Sequence, residues 1–174
     1  MKVTLIAAQS VDGFITQHDL PGSDFTSAED KEHFLKSLRD FDCQIMGAET
    51  FRVWQRSSTE PVRPKRPQWV LTRHSEAFTN AALPGWLEFT NEAPSPLLEK
   101  LASRGLQNCA LLGGSQIHRL FLTANCVDEL WLTVEPVLFG RGTPLVGSEM
   151  SVAMKLISHT HLSANTLLLK YSVR

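Results

Sequence analysis

Apolar residues fall into short runs separated by polar, Gly- and Pro-containing stretches. Residues 2–9 are mostly apolar without alternation, which predicts a strand buried on both faces. Asp12-Gly13 and Pro21-Gly22 mark turns. Thr26 and Ser27 open a predicted helix that runs to about residue 40, with Phe34, Leu35, Leu38 and Phe41 as its apolar stripe. A short strand over 43–46 ends at Gly47, and a brief helix near Thr50 carries Phe51 and Trp54. Residues 57–67 combine prolines with basic side chains and predict an exposed loop. Further strands are expected over 68–72, around 87–89, over 109–112 and over 128–138. Helices are expected over 96–103, stopped by Gly105, and over 115–124, with Ile117, Leu120 and Phe121 inward. The tail reads as two strands, 154–158 and 166–173. Strands alternating with helices, then a strand-rich end, predict an α/β fold. Its mostly parallel central sheet carries helices on both faces and an antiparallel C-terminal hairpin. Such sheets bind ligands at the carboxyl ends of their strands.

Composition narrows the function classes. The 174 residues are 43% hydrophobic and 20% charged, which suits one compact domain over residues 1–174. A chain of this size buries about 70% of its unfolded surface, so it needs no covalent staple. The net charge of −1 argues against a nucleic-acid partner. No apolar run reaches the roughly 20 residues of a membrane span, and the N-terminal stretch lacks a signal-peptide pattern. No membrane association is expected, and a cytoplasmic location is. Cys43, Cys109 and Cys126 are widely spaced with no CxxC pair, so they are expected as packing residues in a reducing compartment. His159-Thr160-His161 lies on alternating strand positions without nearby carboxylates, so no metal is expected.

Several strand ends carry candidate chemistry. Gly113-Gly114-Ser115-Gln116-Ile117 follows an apolar strand and opens a helix. The glycines permit close approach to the backbone, and the free N–H groups of the first turn suit a pyrophosphate. A tight turn without ligand is the other reading, and the GxGxxG fingerprint is absent. Gly47-Ala48-Glu49-Thr50 repeats strand, Gly and helix start, with Thr50 either capping the helix or meeting phosphate. Thr72-Arg73 ends another strand with a hydroxyl and a guanidinium. That pair suits a 2′-phosphate or forms a solvated rim, with Arg52, Arg63, Lys65 and Arg66 as further cations. Asp12 follows the first strand and either hydrogen-bonds a polar substrate or shapes an Asp-Gly turn. Asp30 lies four residues before Phe34, near the start of the first helix. It is either a proton relay at raised pKa or part of a capping box with Ser27. Gly140-Arg141-Gly142-Thr143-Pro144 reads as a mobile turn, and no Gly-x-Ser-x-Gly elbow marks a serine hydrolase.

Residues 113–145, with Ser10-Val11-Asp12-Gly13, Gly47-Ala48-Glu49-Thr50 and Leu71-Thr72-Arg73 in the same order, resemble the reductase domain of bacterial riboflavin-biosynthesis deaminase-reductases. More distantly the chain is similar to dihydrofolate reductase. The resemblance covers nearly the whole chain. It implies a dihydrofolate-reductase-like three-layer sandwich and NADPH as hydride donor. Gly47, Thr50, Gly113, Gly114, Ser115, Gln116 and Ile117 would hold the cofactor's phosphates. Thr72 and Arg73 would face the 2′-phosphate, and Ala8 at the first strand's end belongs to the same cofactor set. Asp12 would lie near nicotinamide and substrate, and Asp30 matches the helical carboxylate of dihydrofolate reductases. The implied reaction is reduction of a small heterocycle, as in 5-amino-6-(5-phosphoribosylamino)uracil reductase. The alternatives are a dihydrofolate or pterin reductase and a non-catalytic NADP-binding protein. A homodimer through the terminal strands fits the family. Two positions depart from it: Leu112 stands where a Glu usually precedes Gly-Gly, and Phe14 where a Lys often follows Asp-Gly.

Overall fold

In a computed structural model, residues 1–56, 66–147 and 149–174 are described. The expected loop falls largely outside them, including Arg63 and Lys65. One eight-stranded sheet runs in the order β4-β3-β2-β5-β1-β6-β8-β7. Its strands are β1 (Lys2–Ser10), β2 (Cys43–Gly47), β3 (Gln68–Leu71), β4 (Leu87–Thr90), β5 (Asn108–Leu111), β6 (Glu129–Glu135), β7 (Lys155–His161) and β8 (Leu167–Ser172). The first six strands are mutually parallel, and β8 and β7 add antiparallel at one edge. Helices are α1 (Ala28–Ser37), α2 (Ala48–Arg56), α3 (Pro94–Ser103) and α4 (Ser115–Thr123).

The layers follow from strand alternation. Leu5, Ile45, Trp69 and Leu111 point to the side where Leu97 and Leu101 of α3 and Phe121 of α4 pack. Met46 and Val70 point oppositely and meet Phe51 of α2. On that same side Ala110 meets Leu38 and Phe41, with Phe34, Trp54, Leu112 and Trp131 around them. The three-layer α/β sandwich with an antiparallel C-terminal hairpin is therefore present.

Some local expectations are corrected. The first helix ends at Ser37 and continues as a 3-10 turn, Leu38–Asp40. Leu35 was expected inward but is 64% exposed, and Leu120 is 42% exposed. On α4 the inward position goes instead to His118, which is 1% exposed and whose ring donates to the Leu145 carbonyl at 2.8 Å. The sixth strand stops at Glu135, before the expected residue 138, while β7 extends to His161.

Candidate active site

The chain leaves the adjacent strands β2 and β5 toward opposite sides of the sheet, to β3 and to β6, and a crevice opens at the carboxyl ends there. The cleft has a volume of about 1270 Å³ and is walled by the ends of β1, β2, β3 and β5 and by α1. Ala8, Asp30, Gly47, Thr50, Thr72, Arg73, Gly114, Ser115, Gln116 and Ile117 all line it. Gly113 and Asp12 do not.

One half of the cleft is built from backbone. The Gly47 N–H donates to the Gly113 carbonyl at 2.7 Å, and the Leu112 N–H to the Ile45 carbonyl at 2.8 Å. These bonds draw the ends of β2 and β5 together. A Cβ on Gly47 would come within 2.9 Å of Ile117, and one on Gly114 would lie 3.7 Å from Thr50 Oγ1. Two helix starts thus converge on one spot. Thr50 is the third residue of α2 rather than its cap. Among the described residues no side chain caps α4, whose N-cap is Gly114, and the residues of its first turn line the cleft. The Gly113-Gly114 peptide is cis. Gly113 has φ +91°, and a Cβ there would lie 2.4 Å from His118 Nε2. The glycine therefore seats the buried imidazole behind the wall. Burial lowers the pKa of His118 to about 4, so the ring is neutral and its Nδ1–H donates to Leu145. Ser115 is 6% exposed, and among the described residues neither its Oγ nor His118 Nε2 has a hydrogen-bond partner.

At the rim, exposed Arg73 forms no ion pair with any described residue. Arg52 is engaged by Glu49 and lies 5.1 Å over the Phe78 ring. Arg66 does not line the cleft. Thr72 Oγ1 accepts from the His74 N–H at 3.1 Å.

The other half is built from side chains. Asp30 is 8% exposed. Burial raises its pKa, Thr133 and Thr26 hydroxyls beside it oppose that rise, and the Glu135 carboxylate adds to it. Ser27 Oγ accepts from the Asp30 N–H at 3.2 Å and so caps α1. The reciprocal member of the capping box is not Asp30. Glu135 Oε1 takes both the N–H and the hydroxyl of Ser27 at 2.8 Å, and its Oε2 accepts from Thr166 at 3.0 Å. Asp30 is thereby released to face the cleft. Around it stand Phe34 and Trp54, whose rings meet edge-on at 6.2 Å, with Leu112, Thr133 and His33. Thr133, Glu135 and His33 were not singled out in the sequence. The available signal was two polar residues, i and i+2, on one face of an apolar strand.

Asp12 is used differently. Its carboxylate accepts from Ser10 Oγ at 2.6 Å, from the Phe139 N–H at 3.1 Å and from the Gly140 N–H at 2.7 Å. The Ser10 bond leads in holding its pKa down. It fastens the turn after β1 to residues 139–140. The Gly140–Pro144 turn is corrected from a mobile element to a tethered one. The Thr143 N–H donates to Thr16 Oγ1 at 2.9 Å, its carbonyl accepts from the Ile15 N–H at 2.8 Å, and Arg141 pairs with Asp19 at 3.1 Å. Arg141, Gly142 and Thr143 close one side of the cleft.

This fold and crevice define a dihydrofolate-reductase-like domain. The RibD C-terminal domain profile matches residues 1–168, and the chain belongs to that family. It is 22% identical to the Bacillus subtilis (strain 168) uncharacterized protein YyaP, covering 98% of this chain and 94% of that one. A putative riboflavin biosynthesis protein from Shewanella sp. PV-4 superposes with TM-score 0.76 at 22% identity, covering 100% of this chain and 99% of that one. The diaminohydroxyphosphoribosylaminopyrimidine deaminase/5-amino-6-(5-phosphoribosylamino)uracil reductase of Thermotoga maritima superposes with TM-score 0.77 at 17% identity. It matches over 99% of this chain and 56% of that longer one. Family membership supports a reductase of the RibD type. Among the described residues no helix is long and apolar enough to cross a membrane, and no cluster of metal-ligating side chains occurs.

Proposed function

We propose that the protein is an NADPH-dependent reductase that delivers hydride to a C=N or C=O bond of a small heterocycle. The carrying observation is the pairing, in one cleft, of a backbone-built cradle with a buried carboxylate opposite it. The cradle suits a dinucleotide: glycines where a Cβ would intrude, converging helix starts, and a Ser115 hydroxyl and an Arg73 guanidinium that, among the described residues, have no hydrogen-bond or ion-pair partner respectively. Bound there, NADPH supplies the hydride. Amides at the start of α4, with Ser115 and Thr50, would hold the diphosphate. Arg73 and Thr72 would take the 2′-phosphate. Phe34, Trp54 and Leu112 exclude water and press a flat ring against Asp30, which holds the proton that the reduced bond requires. Asp12, spent on the backbone of 139–140, is assigned no proton.

The ribosylaminopyrimidine of riboflavin biosynthesis is the first substrate to test. The buried Asp30 beside Thr133 specifically favours a second, dihydrofolate or another pterin. Titration with NADPH followed by absorbance at the reduced-nicotinamide band, with each substrate in turn, tests both. Oxidation of NADPH with one of them supports the reading. Tight binding without oxidation makes the protein a non-catalytic NADP binder, and no binding at all removes both readings.

A further inference from the structure

Asp30 lines the cleft, is 8% exposed and makes no ion pair among the described residues. It is faced by Glu135 and Thr133 from β6, by Thr26 ahead of α1 and by His33 on its own helix. After a proton leaves it, a replacement must reach a carboxylate that bulk water scarcely touches. His33 lies one turn further along α1, at i+3, so the two side chains share a helix face. Both line the cleft, and His33 is half-buried between Asp30 and solvent-facing α1 residues. Its Nε2 stands 3.2 Å from Ser37 Oγ, and its Nδ1 is bonded to no described residue.

We propose that His33 restores the proton of Asp30, acting through that residue as a positioning group with one water between them. This rests on the reductase reading above. As the substrate's ring carbon takes the hydride, the adjacent nitrogen takes the proton of the Asp30 carboxyl, and C=N becomes CH–NH. The neutral imidazole of His33 then takes a proton from bulk solvent, and the imidazolium passes it through the water to the Asp30 carboxylate. One NADPH and one proton are consumed per bond reduced.

The surroundings of His33 make this transfer conditional. Burial lowers its pKa, Lys170 of β8 lowers it further, and Lys36 adds a smaller push, whereas the Asp30 carboxylate raises it. A neutral ring therefore takes up a proton once Asp30 has lost its own, and gives it up readily.

The test begins on the cofactor-free protein. Histidine nitrogen shifts in a uniformly labelled sample report the His33 midpoint, and carboxyl carbon shifts report that of Asp30. Asp30→Asn should move the His33 midpoint down by roughly half a pH unit or more, as loss of a nearby opposite charge does. His33→Gln should move the Asp30 midpoint up. If neither moves, the relay is refuted whatever the enzyme reduces. In turnover, His33→Gln keeps a hydrogen-bonding partner for Ser37 but cannot titrate. It should lower kcat near pH 8 by roughly tenfold, below the 10²–10⁴ of a direct proton donor. KM and thermal midpoint should hold, and the deficit should shrink toward pH 5. A wild-type kcat across that range refutes the relay even if the midpoints are coupled. Coupled midpoints in a wild-type protein that oxidises NADPH with no substrate remove the reductase reading, and the relay with it.

Discussion

The two halves of the cleft are made from different materials. The glycine half presents backbone: amides, close-packed Cα atoms and a left-handed residue, contributed by two strand-to-helix junctions. The carboxylate half presents side chains from segments far apart in the chain. Ser27 and Glu135 are separated by 108 positions, and Glu135 and Thr166 by 31. A backbone surface recognises what every dinucleotide shares, its phosphates, and tolerates change in most side chains. Under the proposed function the side-chain surface decides which ring is reduced, and a single replacement alters it. Leu112, packed with Phe34 and Trp54, belongs to this second half.

The comparison can be broken most severely at Asp30. Asp30→Asn should reduce turnover by about 10²–10⁴-fold while leaving NADPH affinity intact, measured by steady-state rates beside a binding titration. A parallel loss of NADPH binding would show that the halves are not separable. The same variant carries a stability signature. Burial raises the folded-state pKa of Asp30, so the native state holds its proton longer than the unfolded chain. Its contribution to stability then falls as pH rises from the unfolded value through the folded one. Urea melts should find Asp30→Asn more stable than wild type at pH 7, with the gain vanishing below pH 4.

In the glycine half, Gly113→Ala should cost about 3 kcal/mol or more, from the left-handed backbone and the overlap with His118. In a His118→Ala background the cost should be smaller, because the overlap is removed; equal costs in both backgrounds would detach Gly113 from the imidazole. His118 itself sets an acid limit. Its folded pKa of about 4 lies below the ordinary 6.5, so the unfolded chain binds the extra proton between those values. Stability should drop by roughly 3 kcal/mol as pH falls through that window, and His118→Leu should flatten the slope.

Arg73→Ala should weaken NADPH by about tenfold or more and leave NADH nearly unchanged, read by isothermal titration. Equal losses would remove the 2′-phosphate role. The far edge of the sheet serves as control for both halves. We expect a second copy to pair along β7, whose Leu156 and Ile157 are about half exposed. Leu156→Glu with Ile157→Lys should yield monomers in sedimentation with cofactor affinity unchanged, and a monomeric wild type would end that expectation.

What was legible beforehand follows the same division. The apolar runs at 43–46 and 109–112, each closed by glycine and a helix start, carry their meaning within about ten residues. The cradle could therefore be read before folding. Asp30 was visible as a candidate, but its spacing fitted a capping box equally well, and Glu135 decided between the two uses. Polar alternation on β6 hinted at Glu135 but not at its role, because its partners come from before α1 and from the turn ahead of β8. Asp12 read as a site residue because an Asp-Gly pair at a strand end suits either role. Its carboxylate proved committed to amides 127 and 128 positions away.

The sequence by itself determined the parallel sheet, its antiparallel edge and the glycine-closed strand ends, since periodicity and turn chemistry act between neighbours. Tertiary structure alone decided which carboxylate stays free, which histidine is sealed and which polar groups face the cleft. Those outcomes depend on desolvation and on hydrogen-bond partners that only the folded chain brings within 3 Å or so of each other.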